Sequence, residues 1–247
     1  MIQVITRAMD ILDYVAAQKD KAAALSEIAE AVGINQSTCA NIVKTLVARN
    51  YLEHMGRKSG YRLGPGVYQL TGSLAYNDNL VPAAKDVMER LTKTLNESCL
   101  LGILRNRKRF IVHIVHSDQD LQVRTHAETD IYPTATGRLL MSFLPPKELD
   151  ALVAALGLPP PGTWAGVDTK DDLLQELRRI RQHEMALTLS PKHIVGLAVP
   201  IRRNQQVIAS LSIYLPESRF TPTHREEIIS RLREAAATIN ARLGQGS

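Results

Sequence analysis

The chain has 247 residues, 30 Lys and Arg against 25 Asp and Glu for a formal net charge of +5, and only two cysteines. That length holds one small and one medium domain, each above the size at which a core becomes marginal, and 45% hydrophobic with 22% charged residues is a globular composition. Two cysteines exclude a disulfide framework and a thiolate metal cluster, and no apolar run approaches the roughly 20 residues of a membrane span. The first residues enter an amphipathic helix with Arg7, Asp10 and Asp13 instead of the apolar block of a secretory signal, so a cytoplasmic address is expected.

"VITRAMDILDYVAAQ" carries Met9, Ile11, Leu12 and Val15 as the inward side of a first helix. "LSEIAEAVGI" reads as a short second helix with Ser26 as N-cap, Leu25, Ile28, Ala29 and Val32 inward, and Gly33 ending it where a positive φ is convenient. Asn35 then caps a third helix, in which Cys39, Ile42, Val43, Leu46 and Val47 follow the spacing of one buried stripe. The opposite side shows Gln36, Ser37, Asn41, Lys44 and Thr45: short hydrogen-bonding groups, one cation and no carboxylate. A merely solvated helix face interleaves Glu with Lys. A face that avoids acids can approach phosphates and base edges without repulsion.

A short helix, a turn with Gly and a second helix with a polar outer face is the order of a helix-turn-helix, whose second helix enters the major groove. After it, "YLEHMGRKSGYRLG" alternates apolar and polar positions around Gly56 to Gly60, as a hairpin wing with a basic tip would. Between residues 35 and 62 stand five cations (Lys44, Arg49, Arg57, Lys58, Arg62) against one acid, Glu53, a net +4 in a chain that totals +5. The excess charge sits where a phosphate backbone would lie. Asn35, Gln36, Ser37, Thr38, Asn41 and Lys44 on the helix, with Arg57, Lys58 and Tyr61 on the wing, are the expected DNA contacts.

Beyond a Gly64-Pro65-Gly66 joint, residues 65–80 read as a linker helix, so the expected division is a winged helix-turn-helix over 1–64, the linker, and a second domain over 81–247. From Pro82, at a first-turn position, Val87, Met88, Leu91 and Leu95 make a helix stripe. Three strand-like runs follow, "CLLGILR", "FIVHIVH" and "LQVRTH", the first two joined by a polar "NRKR" turn. Helices come next: "TATGRLLMSFL" up to Pro145-Pro146, "KELDALVAALG" up to Gly157, and "TKDDLLQELRRIRQH" with a Thr169 and Asp172 capping box. "MALTL", "IVGLAVPI" and "VIASLSIYLP" are strand candidates, and Thr221-Pro222 starts a last helix with Ile228, Leu232, Ala235, Ile239 and Leu243 inward. Strands grouped with strands indicate an α+β fold with an antiparallel sheet covered by helices.

This order resembles the isocitrate lyase regulator (IclR) family of bacterial transcription factors over nearly the whole chain. Its carriers are "RAMDILDYVA", "LSEIAEAVGINQSTCANIVKTLVARNYLE", "YRLG", "TATGRLLMSFLP" and "GLAVPIRRNQQVIASLSIYLPESRF". The resemblance implies a GAF-like effector domain, binding to double-stranded operator DNA as a homodimer or dimer of dimers, and control by a small metabolite, often a carboxylic or aromatic acid. It implies no cofactor. Carried over by motif, the effector pocket falls on Thr134, Ala135, Thr136 and Gly137, on Gly196, and on Ser212 and Tyr214. A helix beginning near Thr134 offers unpaired N–H groups and a positive dipole end to an anion. A Thr N-cap with a packing Gly, and satisfied core polars at Ser212 and Tyr214, are the plain structural alternatives. The chain departs from the family pattern at "SPKHIV", where Ser190, Lys192 and His193 stand in place of an acidic pair, at Glu184, at Gly196 for a frequent Cys, and at Tyr214-Leu215 for Ser-Gly. Ser190 and His193 join the expected pocket, and the loss of two acids favours an anionic effector.

An enzyme or small-molecule carrier with a secondary N-terminal domain is the alternative, but no Gly-x-Ser-x-Gly elbow or other nucleophile motif is present. His113 and His116, three apart on a strand, point to opposite faces and cannot chelate together, so no metal site is expected. Cys39 falls on the apolar stripe without a flanking cation, as an inert core thiol does.

Overall fold

The computed structural model describes residues 2–18, 21–56, 60–67 and 79–244, and the chain divides into two compact units, Met1–Asp78 and Asn79–Ser247. In the first, α1 (Gln3–Ala17), α2 (Leu25–Val32) and α3 (Gln36–Ala48) close around Ile11, Val15, Ile28, Cys39, Val43 and Leu46. Each aliphatic side chain buried in such a core contributes about 1.5 to 3 kcal/mol. Met9, expected inward, is 56% exposed. It lies two residues from Ile11, about 200° around the helix, so the two cannot share a face.

The start of α2 also differs from expectation. Ala23 exchanges backbone hydrogen bonds of 2.8 Å with Tyr61 in both directions, which holds the chain extended up to Ala24. The Glu27 carboxylate then accepts from the Ala24 N–H at 2.8 Å. The helix therefore begins at Leu25 and leaves Ser26 exposed inside its first turn, not at the N-cap. Gly33 ends α2 with φ of +69°, and strands β1 (Leu52–His54) and β2 (Tyr61–Leu63) form the wing hairpin in the register Leu52↔Leu63 and His54↔Tyr61. Residues 57–59 at its tip, and 68–78 of the expected linker helix, lie outside the described residues; residues 65–67 are helical.

The second unit is a six-stranded antiparallel sheet in the order β5-β4-β3-β8-β7-β6. Its strands are β3 (Ser98–Arg105), β4 (Lys108–Val115), β5 (Glu128–Thr129), β6 (Ala186–Leu189), β7 (Ile194–Arg203) and β8 (Gln206–Pro216). Two-residue turns, Asn106-Arg107 and Asn204-Gln205, have positive φ throughout and close the β3–β4 and β7–β8 hairpins. One face is covered by α4 (Leu80–Leu95) and α8 (Pro222–Gly244), which bury Met88, Leu91, Leu232 and Ile239 against Leu101, Leu197 and Leu211. Pro82 sits in the first turn of α4. The other face carries α5 (Ala135–Ser142), α6 (Pro146–Leu156) and α7 (Lys170–His183), around Leu139, Met141, Leu152, Leu173 and Leu177. Thr169 and Asp172 close the expected capping box of α7. Among the described residues no helix is long and apolar enough to cross a membrane.

The run "LQVRTH", expected as a third strand, is irregular, and pairing with β4 begins only at β5. At its end the Arg109 guanidinium donates to the His126 carbonyl at 3.0 Å and to Thr125 Oγ1 at 3.3 Å. The His126 carbonyl is thus taken by a side chain in place of a ladder partner.

Candidate nucleic-acid interface and ligand cavity

On α3, Gln36, Ser37, Asn41, Lys44 and Thr45 are all exposed and Thr38 is half-buried, opposite the buried Cys39, Ile42, Val43 and Leu46. Asn35 caps the helix: its Oδ1 accepts from the Thr38 N–H and from the Ser37 hydroxyl, both at 2.8 Å. Its side-chain oxygen is therefore committed to the fold, and only its amide nitrogen remains as a donor. Among the described residues Lys44 makes no ion pair, and Glu53, the acid of this region, is held by Arg62 at 2.9 Å. Tyr61 anchors the wing root through its backbone bridge to Ala23 and packs its ring on His54 at 5.0 Å. Arg57 and Lys58 lie outside the described residues. Burial raises the Cys39 thiol above its usual pKa, so it stays protonated in the core.

In the second unit a cavity of about 180 Å³ opens between α5, the far ends of β7 and β8, β4 and the chain after it. Two glycines set this geometry. At Gly102 an added Cβ would stand 2.6 Å from Thr136 Cγ2, and at Gly137 it would collide with the Ile131 backbone. Their bareness lets α5 settle on the sheet with Thr136 against β8, where the hydroxyls of Thr136 and Ser212 bond at 2.8 Å and those of Ser210 and Ser212 at 3.0 Å.

Of the expected pocket residues, Thr134, Ala135, Thr136, Ser190, Gly196, Ser212 and Tyr214 line this cavity. Gly137 and His193 do not. Gly137 faces Ile131, and its N–H is taken by the Thr134 N-cap at 3.0 Å, so it is a packing glycine and not a site for an anion. His193 is exposed with φ of +56° and pairs with Glu217 at 2.7 Å. Lys192 is exposed too, and Ser190 folds the tight loop by accepting from the N–H groups of Lys192 and Ile194.

The cavity's positive charge comes from residues outside the sequence-based set, Arg109 and Arg124, and among the described residues no Asp or Glu lines it. Arg109 is only 2% exposed. Its terminal nitrogens bond His126 and Thr125, while its Nε has no partner, and burial lowers its pKa from the usual value. The Tyr214 hydroxyl is buried beside the Ser98 side chain, its partner across β3 and β8, and burial raises its pKa, so it stays protonated. A buried donor left unmatched costs about 1 to 3 kcal/mol, and a buried cation without an acid costs more. The signal for Arg109 was present in the sequence. Once Asn106-Arg107 is taken as a two-residue turn, Arg109 pairs with Leu104 on the strand face that meets α5. Arg138, also buried, serves the fold: it donates to the Tyr132 and Thr163 carbonyls at 2.7 Å and stacks on Trp164 at 4.1 Å.

Residues 4–56 match the family model described as the IclR helix-turn-helix domain, and residues 73–241 match that of the bacterial transcriptional regulator IclR C-terminal domain. The HTH-type transcriptional regulator TtgV of Pseudomonas putida is 27% identical over 251 residues, covering 100% of this chain and 93% of that protein. The HTH-type transcriptional regulator KdgR of Escherichia coli is 24% identical over 225 residues, covering 89% and 85%. Among solved structures, the IclR of Thermotoga maritima superposes with a TM-score of 0.74 at 23% identity, covering 99% of this chain and 100% of that one. An IclR homologue from Microbacterium hydrocarbonoxydans complexed with 4-hydroxybenzoate gives 0.72 at 24% identity, covering 99% and 100%. Since the two family models fall on the two units and together span most of the sequence, the chain belongs to the IclR family of bacterial transcriptional regulators.

Proposed function

We propose that this regulator seats α3 in the major groove of double-stranded operator DNA, and that a small carboxylate bound in the cavity of the second unit alters that binding. The observation that carries the effector's charge is Arg109: a buried guanidinium facing a cavity with no acid in its lining gains its counter-charge from the ligand. The Tyr214 hydroxyl adds a second polar group to the lining, and the Thr136 and Ser212 hydroxyls can read a polar substituent. A cavity of roughly 150 Å³ is enough to hold benzene, so about 180 Å³ suits a single ring bearing a carboxylate. That agrees with the 4-hydroxybenzoate in the Microbacterium homologue.

On this reading the regulator acts as a homodimer or a dimer of dimers, because one reading head covers too few base pairs for useful specificity. The effector must favour one arrangement of two heads over another, since equal affinity for both shifts nothing. The test is fluorescence anisotropy with the DNA upstream of the protein's own gene, across a salt series, with and without benzoate and 4-hydroxybenzoate. Salt-dependent binding that either acid shifts about tenfold or more, a coupling near 1.4 kcal/mol, is the expected outcome. DNA binding with no carboxylate detected by calorimetry removes the effector assignment and leaves the DNA one standing.

A further inference from the structure

Residues 118–126, between β4 and β5, make no backbone–backbone hydrogen bond among the described residues, yet Val123, Arg124 and Thr125 line the cavity. What holds this segment is side chains. From outside, Arg219 donates to the Leu121 carbonyl at 3.1 Å; Arg219 is itself fixed by Glu97, 1% exposed, through two bonds of 2.6 Å. From inside, Arg109 holds Thr125 and His126. At its start the Asp118 N–H donates to Asn96 Oδ1 at 3.3 Å and Gln122 donates to the Ser117 carbonyl at 2.6 Å, while the Leu121 side chain stays 65% exposed.

We infer that residues 118–126 form a strap over the effector cavity and that Arg109 is its latch, grasping the strap with both terminal nitrogens while presenting Nε to the effector's anion. The inference rests on the reading of this cavity as the effector site. A guanidinium is a rigid planar fork, so one plane serves both partners at once. An anion that fixes Nε fixes the orientation in which the terminal nitrogens reach Thr125 and His126, and the ligand is enclosed as the strap closes. Linkage makes the effect reciprocal: whatever weakens the strap's hold weakens the ligand by the same factor. The coupling acts on release, because a ligand beneath a closed strap leaves only when the strap opens.

Limited proteolysis of the full-length chain by trypsin, cutting after the exposed Arg124, tests this in two arms. Without ligand, Thr125→Val, which removes the hydroxyl acceptor and keeps the shape, and Arg219→Gln, which removes the outer hold, should each speed that cut by about tenfold, the equivalent of one charge-assisted hydrogen bond. The amides of β8 should keep their protection from hydrogen exchange, which checks that the unit is folded. A rate of cutting unaltered in both variants overturns the latch, whether or not any acid binds. In the second arm, saturating benzoate should slow the same cut in the parent chain, and Thr125→Val should raise the benzoate dissociation rate several-fold with little change in association. Benzoate that binds by calorimetry and leaves the cut untouched also overturns it. Absence of benzoate binding counts against the carboxylate reading of the cavity, and the latch is then decided by the first arm alone.

Discussion

Replacing Arg109 by Met separates what the residue does for the fold from what it does for a ligand. In the unliganded protein the guanidinium is 2% exposed, has no acid beside it and leaves Nε unmatched, so its burial opposes folding. Substituting apolar residues of similar volume for buried ionic groups stabilises by about 1 to 4 kcal/mol in favourable cases. Against that stand the two bonds to Thr125 and His126, worth about 1.5 to 3 kcal/mol each when made by a charged group. Their loss is softened because the strap is largely exposed and water can satisfy the freed acceptors. The terms nearly cancel. Unliganded stability should stay within about 1 kcal/mol of the parent, a Tm shift of roughly 2 to 4 °C for a unit of this size. Carboxylate affinity has no such compensation. Removing one partner of a buried, hydrogen-bonded charge pair costs about 2 to 5 kcal/mol, at least a thirtyfold loss. Differential scanning calorimetry gives the first quantity and titration calorimetry with benzoate or 4-hydroxybenzoate gives the second. A Tm lowered by more than about 8 °C together with unchanged acid affinity would refute the reasoning, because Arg109 would then be a structural staple.

Three further outcomes are expected. Lys44→Ala should weaken binding to all DNA sequences alike and reduce the log–log salt slope by about one, whereas Asn41→Ala should change the preference among sites, both read by anisotropy across a salt series. Gly137→Ala should lower the stability of the second unit by about 3 kcal/mol or more, since the new methyl meets the Ile131 backbone instead of a movable side chain; wild-type thermal stability would show that α5 can shift. Asp86, hydrogen-bonded by Arg242 and Arg90, has its carboxyl held well below the usual range. A depressed folded pKa contributes stability that is complete above the unfolded value near 4 and is lost as pH falls through the folded one. Asp86→Asn should therefore lower stability at pH 7 by less than about 1 kcal/mol, because the pair is half-exposed, read as a small fall in Tm. The difference should close as pH falls below about 4, and a gap that widens in acid would count against the pairing.

The parts of the fold legible in the sequence are those settled over a few residues. Asn35 capping α3, the Thr169 and Asp172 box and the stripe of α8 all depend on spacing within a few residues, whereas the expected four-residue NRKR turn is two residues long, with Lys108 and Arg109 already in β4. The start of α2 was misread because a better-looking cap, Ser26, lost to Ala24, whose extended backbone is imposed by Tyr61 across the wing. Residues 121–126 have strand-like composition and are not a strand; at their end the Arg109 side chain takes the His126 carbonyl, a partner 17 residues away that spacing alone does not reveal.

Family motif and helix polarity led to the wall of the cavity formed by Thr134, Thr136, Gly196, Ser212 and Tyr214, since α5 and the last two strands are contiguous stretches with fixed periodicity. They could not separate Gly137, three residues into the same helix, which packs on Ile131, nor detach His193 from the site, because its partner Glu217 is 24 residues away. By itself the sequence determined the order of elements, the acid-free face of α3 and the family, all properties of local spacing and side-chain chemistry. Only the tertiary structure decided which cation serves the cavity. Lys192 and His193, adjacent to the pocket strand in sequence, are turned outward by the tight loop that Ser190 folds, while Arg109 is carried inward by the register of β3 with β4. Burial then gives that one charge its consequence, because a cation removed from water and left without an acid is the group that most needs a ligand.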